Sequence, residues 1–339
     1  MKRFIALLMA CAASPIGVAA QVSADQTGAP ASRAVEMKGV NLYLHSSEPS
    51  FGQLQDPTFW VHAERGESIN ETQWSLEGAQ AVIYREAEDD LVLAAKSGTF
   101  DKQKKSAQLA GGVQVTSGQM VVDLEDIAWD ETQRVARSES IATLSDGSNT
   151  IVGSSIAIFP DADRVDLGGG TATIQLAAAD GEKKPESSTA DKYKTLEIME
   201  QHGTSGSLKG APLQKIQGPV RMALIGNNPE DTLTIKADLV TLEYGSGEDL
   251  RSPARVLLKG HVEIKQGKNV IQSNDADLDL ARETARFTGD VMFAGDEIAN
   301  ASGPSLDLNL DTGEWTLGGP GGVISYDFSA SKAAKDEKP

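Results

Sequence analysis

Alternation of apolar and polar side chains runs through nearly the whole chain, and it limits the fold more than any other feature of the sequence. Leu306, Leu308 and Leu310, for example, alternate with Asp307 and Asn309. Successive side chains of a β-strand point to opposite faces, so this pattern indicates strands with one buried and one wet face. Turn signals separate the runs at short intervals, and we find no long helical periodicity after the N-terminal segment. The sequence therefore predicts an all-β fold of antiparallel strands.

A repeat underlies this alternation in the second half of the chain. Gly260, Gly289 and Gly318 follow one another at steps of 29 residues, and each unit contains two alternating strands. The first half carries a looser copy, in which Gly111 and Gly168 are 57 residues, or about two units, apart. Repeats near this length are stacked supersecondary units that cannot bury their apolar faces alone.

The N-terminus has the features of an export signal. Lys2 and Arg3 precede a short apolar run, and small residues lead up to Ala20. We expect a signal peptide over residues 1–20, cleaved after Ala20, and hence a periplasmic protein. Two alternatives stay open: a retained inner-membrane anchor, although the apolar stretch is short for a span, and a lipoprotein acylated at Cys11.

Charge and cysteine content exclude several kinds of site. The chain carries 31 basic and 49 acidic residues, a net charge of −18. This charge repels phosphates, and no basic cluster offsets it, so we expect no nucleic-acid binding. Cys11 is the only cysteine, and cleavage after Ala20 would remove it, which leaves neither a disulfide nor a thiolate metal site.

One long segment interrupts the alternation. Residues 177–210 concentrate charge, glycine and serine, which is typical of a linker, although Leu196, Ile198 and Met199 within it could form a strand or a short covering turn. We therefore expect two β domains. The predicted boundaries are a signal peptide at 1–20, a flexible N-terminus at 21–36, a first β domain at 37–178, a linker at 179–210, a second β domain at 211–328 and a disordered tail at 329–339.

The chain shows no motif that requires catalysis or a cofactor. Asp275, Asp277 and Asp279 resemble the start of a calcium loop, but the glycine and glutamate expected later in such a loop are missing. The acidic run at 88–90 is interpreted as an exposed turn, although glycoside hydrolysis needs only two suitably spaced carboxylates. The four histidines are scattered without metal-ligand spacing. We expect a non-catalytic protein with no cofactor and no metal site.

The repeat units carry a family resemblance. Leu257–Gly267, Ile271–Leu278 and Gly289–Val291, together with the preceding unit Thr234–Leu242, resemble the OstA-like superfamily of periplasmic lipopolysaccharide-transport proteins. The match spans residues 211–328 and is similar to the LptA type.

The first half looks like the related LptC type. The matching segments are Pro57–Glu64, Ala94–Gly98 and Leu109–Val115. Two features depart from these families: both domain types share one chain, and a cleavable signal stands where the LptC type usually has an anchor.

The resemblance implies two tandem, twisted, partly open β-jelly rolls. Their apolar groove would hold the acyl chains of lipopolysaccharide or a related lipid, while the anionic head group stays in solvent and is bridged to the acidic protein by metal ions. The terminal strands would pair edge to edge with other β-roll transport proteins, or head to tail with a second copy. Val40–His45 and Val323–Phe328 are the expected edges.

Every second residue of a strand lies on the same face, so the alternation also predicts which residues would face this groove. The candidates are Val262, Ile264, Leu278, Leu280, Val291, Phe293, Leu306 and Leu308 in the second half, and Met120, Val122 and Leu124 in the first. Two other classes of function stay open. A structural or adhesive β-repeat scaffold would fill the same interior with side chains, and a β-helical enzyme acting on polysaccharide would place a carboxylate cluster on one face.

Overall fold

A computed structural model describes residues 36–45, 57–85, 89–176, 193–208, 213–245, 253–295, 301–319 and 322–327. The described chain is all-β, as predicted, apart from two short 3-10 turns at Pro160–Ala162 and Pro229–Asp231. The strands are β1 Glu36–Leu44, β2 Phe59–Ser68, β3 Gln73–Ile83, β4 Leu91–Asp101, β5 Ser106–Ser117, β6 Met120–Asp130, β7 Val135–Ser138, β8 Ala142–Ser145, β9 Thr150–Gly153, β10 Ile156–Phe159, β11 Arg164–Gly168, β12 Gly170–Gln175, β13 Tyr193–Glu200, β14 Gly203–Ser207, β15 Lys215–Gly226, β16 Leu233–Tyr244, β17 Pro253–Gln266, β18 Asn269–Asp279, β19 Thr284–Ala294, β20 Ala301–Asn309, β21 Glu314–Gly319 and β22 Gly322–Asp327.

All strand pairs are antiparallel and belong to one hydrogen-bonded sheet. From β1 to β6, and again from β15 to β22, each strand pairs with the next one in the chain. Each 29-residue unit therefore corresponds to one hairpin of two strands.

Between β6 and β15 the sheet divides into two series of short antiparallel strands that lie side by side, which we call courses. One course runs β6, β7, β10, β11, β14 and β15. The other runs β6, β8, β9, β12, β13 and β15. The long strands β6 and β15 take part in both courses. Each short-strand pair thus replaces one long strand that is interrupted near its middle.

Within the predicted linker, the described residues form β13 and β14, in agreement with the alternative of a strand at Leu196, Ile198 and Met199. Tyr193, Leu196 and Ile198 alternate with exposed or half-buried neighbours and are buried on β13. β13 pairs with β12 of the first half and with β15 of the second. Residues 177–192 lie outside the described part, and the division into two domains stays a prediction.

The long strands are bent, so the sheet folds over on itself. In the ladder, Trp315 lies opposite Leu308, and Leu308 lies opposite Ala285. Phe293 is eight residues further along the same strand as Ala285, a distance of about 26 Å if the strand were straight. The rings of Phe293 and Trp315 are nevertheless only 4.8 Å apart between centroids. The two ends of β19 must therefore lie on facing walls of a roll.

Glycines lie at these bends. Gly260 and Gly289 have φ of 75° and 75°, and His261 and Asp290, which follow them, also have positive φ. The pairing register shifts between residues 259 and 262 and between residues 288 and 291. A β-bulge with left-handed backbone bends a strand and strengthens its twist. Gly260 and Gly289 thus mark the fold line of the roll.

The first half is folded over in the same way, and a polar cluster closes its seam. Phe59 stacks on Trp129 with centroids 5.9 Å apart, although the ladder separates their positions by nine residues. Buried Glu131 accepts hydrogen bonds from Thr58 Oγ1 at 2.6 Å and from Trp129 Nε1 at 3.0 Å. Arg134 donates to the carbonyl of Tyr84 at 3.1 Å. These contacts join the two ends of the bent strands.

Some predictions concern residues outside the described part of the chain. The signal peptide at 1–20, the N-terminus at 21–35, Cys11 and the tail at 329–339 all lie there. Among the residues that are described, no helix is long and apolar enough to cross a membrane.

Candidate functional site

A cavity of about 370 Å³ lies inside the second half of the roll, where the two ends of the bent strands face each other. Its wall is mostly apolar. Aromatic rings of Phe287, Phe293 and Trp315 contribute to it, and the aliphatic lining residues are Leu233, Ile264, Ile271, Leu278, Ala285, Leu308 and Leu310. The volume falls within the range of about 300–1,000 Å³ that is usual for small-ligand sites.

All the predicted inward residues face the interior, but only some reach this cavity. Ile264, Leu278, Phe293 and Leu308 line it. The others are buried in side-chain packing away from it: Met120, Val122, Leu124, Val262, Leu280, Val291 and Leu306. Alternation identifies the face of the sheet on which a side chain lies. Whether an inward side chain borders the cavity depends in addition on the distance between the two walls of the roll.

Several cavity residues were missed by the sequence analysis. Ile271 lies directly opposite Ile264 on the neighbouring strand, and continued alternation could have found it. Phe287 carries the same signal, because it follows Ala285 at a spacing of two. Trp315 carries it as well, since it lies opposite Leu308 and alternates with polar neighbours, but its contact with Phe293 across the fold does not follow from the ladder.

The mouth of the cavity is polar and predominantly acidic. Three turns supply it: the 3-10 turn with Glu230 and Asp231, the turn between β17 and β18 with Lys268, and the turn between β20 and β21 with Asp311. Gln266 Nε2 donates to the carbonyl of Glu230 at 3.4 Å, which joins two of these turns. The site thus presents an apolar interior beneath a hydrated rim, an arrangement that suits an amphiphile.

The clearest electrostatic feature nearby lies on the outer face and not in the cavity. Glu263 is held by Lys236 at 3.0 Å, Gln272 at 3.0 Å and Lys265 at 3.1 Å. These contacts, with Lys236 the strongest, lower the pKa of Glu263 to about 2. The neighbouring Ile264 points into the cavity, so Glu263 stabilises the wall and does not contact what the cavity holds.

The acidic residues considered in the sequence lie on the surface. Asp277 is paired with Arg255, and Asp279 accepts a hydrogen bond from the backbone of Arg282 at 2.9 Å. Asp90 accepts one from the backbone of Arg85 at 3.1 Å in the turn after β3. Within the described ranges, no group of three or more histidine, cysteine or acidic side chains could hold a metal ion.

The expected sheet edges are strands. β1 pairs with β2, and β22 pairs with β21. No other strand among those described pairs with either of them. Met37 and Tyr43 of β1 are 46% and 49% exposed, so this edge also presents apolar side chains to solvent.

Comparison with known proteins adds no assignment. No family model matches the chain, and a search of the curated proteins finds no match.

Proposed function

We propose that this protein binds lipopolysaccharide or a related lipid in the periplasm and carries it towards the outer membrane without catalysing a reaction. The observation that carries the proposal is the apolar cavity bordered by Ile264, Leu278, Phe293 and Leu308. Acyl chains gain about 0.8 kcal/mol per buried CH₂ group when they leave water, so an apolar cavity of this volume is a favourable seat for part of a chain.

The polar mouth supports a lipid with a hydrated head group. Acyl carbons would enter between the two walls, and the head group would stay at the rim formed by the three turns. Glu230, Asp231 and Asp311 lie on that rim. They would repel a bare anionic head group, which is consistent with divalent cations bridging it to the protein.

The sheet edges support assembly with other β-roll proteins or a second copy. Strands such as β1 and β22, which pair on one side in the described sheet, offer backbone groups for strand addition. Head-to-tail pairing would align cavities of successive rolls. The transport direction assigned here rests on the sequence resemblance to the OstA-like superfamily.

A β-repeat scaffold is the second candidate, and the closed first half favours it. There the Phe59–Trp129 stack and the Glu131 cluster fill the seam, and Met120, Val122 and Leu124 are buried. We therefore confine the proposed lipid seat to the second half. A scaffold would contain the same closed packing but would carry no lipid.

Site-specific photo-crosslinking separates the two candidates. We expect a photo-reactive residue at Phe293 or Leu308 to capture lipid in cells that export lipopolysaccharide, because both side chains border the cavity. The same residue at Asp277 or Asp307, on the outer face, should capture none. Mass spectrometry of the adduct identifies the lipid.

Val122 provides the matched inward control, since it is buried but does not line the cavity. Equal labelling at Val122 and Phe293 would contradict a seat confined to the second half. Labelling at no inward position would leave the scaffold as the function.

A further inference from the structure

A strip with few charged side chains crosses the outer face of the first six strands. Its members are cross-strand neighbours in two adjacent rows: Tyr43, Trp60, Val82, Val92, Thr116 and Val121 in one, and Asn41, His62, Gln80, Ala94, Gln114 and Asp123 in the other. Apart from the imidazole of His62, Asp123 is the one acidic or basic member of the two rows, although the chain has 49 acidic residues. Tyr43 and Val92 are 49% and 44% exposed.

Two rings in this strip are held in place by one amide. Asn41 Oδ1 accepts from Trp60 Nε1 at 3.2 Å and lies 3.1 Å from His62 Nδ1. The two rings stack with centroids 6.1 Å apart and planes 28° from parallel. With the proton on Nδ1, Nε2 of His62 is left as an acceptor. The rings are therefore ordered before any ligand arrives, which lowers the entropic cost of binding.

A shallow depression of about 550 Å³ lies beside these rings on the same face of the sheet, and the rings themselves do not line it. Gln80, Ala94 and Gln114 line it next to His62 in the ladder. Glu64, Lys96 and Asp123 add two carboxylates and one ammonium group to the lining. Gln114 Nε2 donates to Asp123 Oδ1 at 3.0 Å. The depression thus places amide groups, with charged groups among them, on strands that neighbour the two rings.

We propose that this outer face binds a neutral oligosaccharide. A pyranose presents a face of C–H groups that packs on an aromatic ring and a rim of hydroxyls that pairs with amides and imidazole. Trp60 and Tyr43 would supply the ring faces, while Gln80, Gln114 and His62 Nε2 would supply hydrogen bonds.

Charge selects the class of saccharide. The net charge of −18 repels glycans rich in uronic acids or phosphate, and Glu64 and Asp123 in the depression add to that repulsion. Their carboxylates can accept hydrogen bonds from the hydroxyls of a neutral saccharide. The site lies on β1 to β6 and the cavity is formed by strands and turns between residues 230 and 315. The saccharide site therefore does not depend on the proposed lipid function.

Titration of the full-length exported protein with maltohexaose, laminarihexaose and chitohexaose tests this proposal. We expect at least one of them to shift the Trp60 indole N–H resonance in a saturable manner. Trp60→Ala should raise the Kd for that saccharide by about tenfold or more, because the binding site loses a central aromatic anchor. Trp60→Phe keeps a ring and should retain most of the affinity.

Met292→Ala is the control, because Met292 is an exposed apolar residue, at 54%, on the outer face of β19 and outside the strip. It should leave the Kd unchanged. Absence of any Trp60 shift with all three saccharides would overturn the proposal, as would equal Kd values for Trp60→Ala and the unmodified protein. Concentration-dependent dimerisation that Trp60→Ala abolishes would also overturn it, by assigning the strip to a second copy of the chain.

Discussion

Glu263 illustrates how single residues secure a thin wall between solvent and an apolar interior. Its carboxylate faces outwards to two lysines and an amide, and the next residue, Ile264, faces the cavity. Alternation predicted this parity from the sequence. The partners of Glu263 could not be predicted, because Lys236 and Gln272 lie on two different neighbouring strands whose register only the folded sheet defines.

Glu263→Gln should destabilise the protein in a pH-dependent manner. The pKa of Glu263 is lowered to about 2 in the folded state, against about 4.3 in an unfolded chain. Its ionised form therefore stabilises the fold above about pH 4.3, and this contribution is lost as the pH falls towards 2. We expect a cost of about 1 kcal/mol at pH 7, measured by urea unfolding.

The same measurement at pH 2 to 3 provides the check. The difference between Glu263→Gln and the unmodified protein should shrink there, because the carboxyl is increasingly protonated. A difference that is equal at pH 7 and at pH 2 would contradict the ion-pair explanation.

At the scale of strands, the bend explains why a regular sequence pattern gives a roll. The all-β class, the hairpin repeat and the inward faces could all be predicted, since they depend on local periodicity. The bends could not, although their glycines were visible as a 29-residue repeat. A repeated glycine suits a turn, a bulge or a close packing contact equally well. The contact of Phe293 with Trp315 across the fold distinguishes these cases.

Gly260→Ala tests the bend, with Gly267→Ala as its matched control. Both glycines have positive φ, 75° and 57°, but a Cβ at Gly267 would meet open space. A Cβ at Gly260 would collide with the side chain of Asp238, which is itself bonded to His261. We expect Gly267→Ala to cost about 1 kcal/mol from backbone strain.

Gly260→Ala should cost clearly more, about 2 kcal/mol or above, because the collision adds to the same strain. Chemical denaturation of both variants measures the difference. Replacing Asp238 with alanine as well should recover part of the excess. Equal costs for the two glycine variants would show that the close approach to Asp238 does not restrict the bend.

For the whole molecule, the interrupted middle section decides how the halves hold together. β13 and β14 follow the charged segment in sequence, yet they pair with β12 and β11 before it. The composition of residues 179–210 predicted a linker, because composition describes only the average character of a segment. Pairing depends instead on a few alternating positions, such as Leu196 and Ile198.

Trypsin cleavage in the charged segment tests this arrangement. From the sequence we expect cleavage after Lys183 or Lys192, since trypsin does not cut the bond between Lys184 and Pro185. Lys194 on β13 should be protected by its pairing. The two fragments should then elute as one species in native gel filtration and separate only in denaturant. Replacing Lys183 and Lys192 with glutamine should prevent the cut.

Separation of the fragments under native conditions would contradict the pairing of β13 and β14 with the first half. It would support two domains joined only by a linker.

The two courses of short strands also have a consequence for the order in which the chain folds. From β1 to β6 and from β15 to β22, each strand meets its partner as soon as the next hairpin forms, so contact order is low and closure is rapid. In the middle, β11 must wait for β14, and the chain between them contains β12, the whole charged segment and β13. Closing a longer loop costs more entropy. We therefore expect the outer hairpins to form first and the rate-limiting step to be the joining of the two courses at β15.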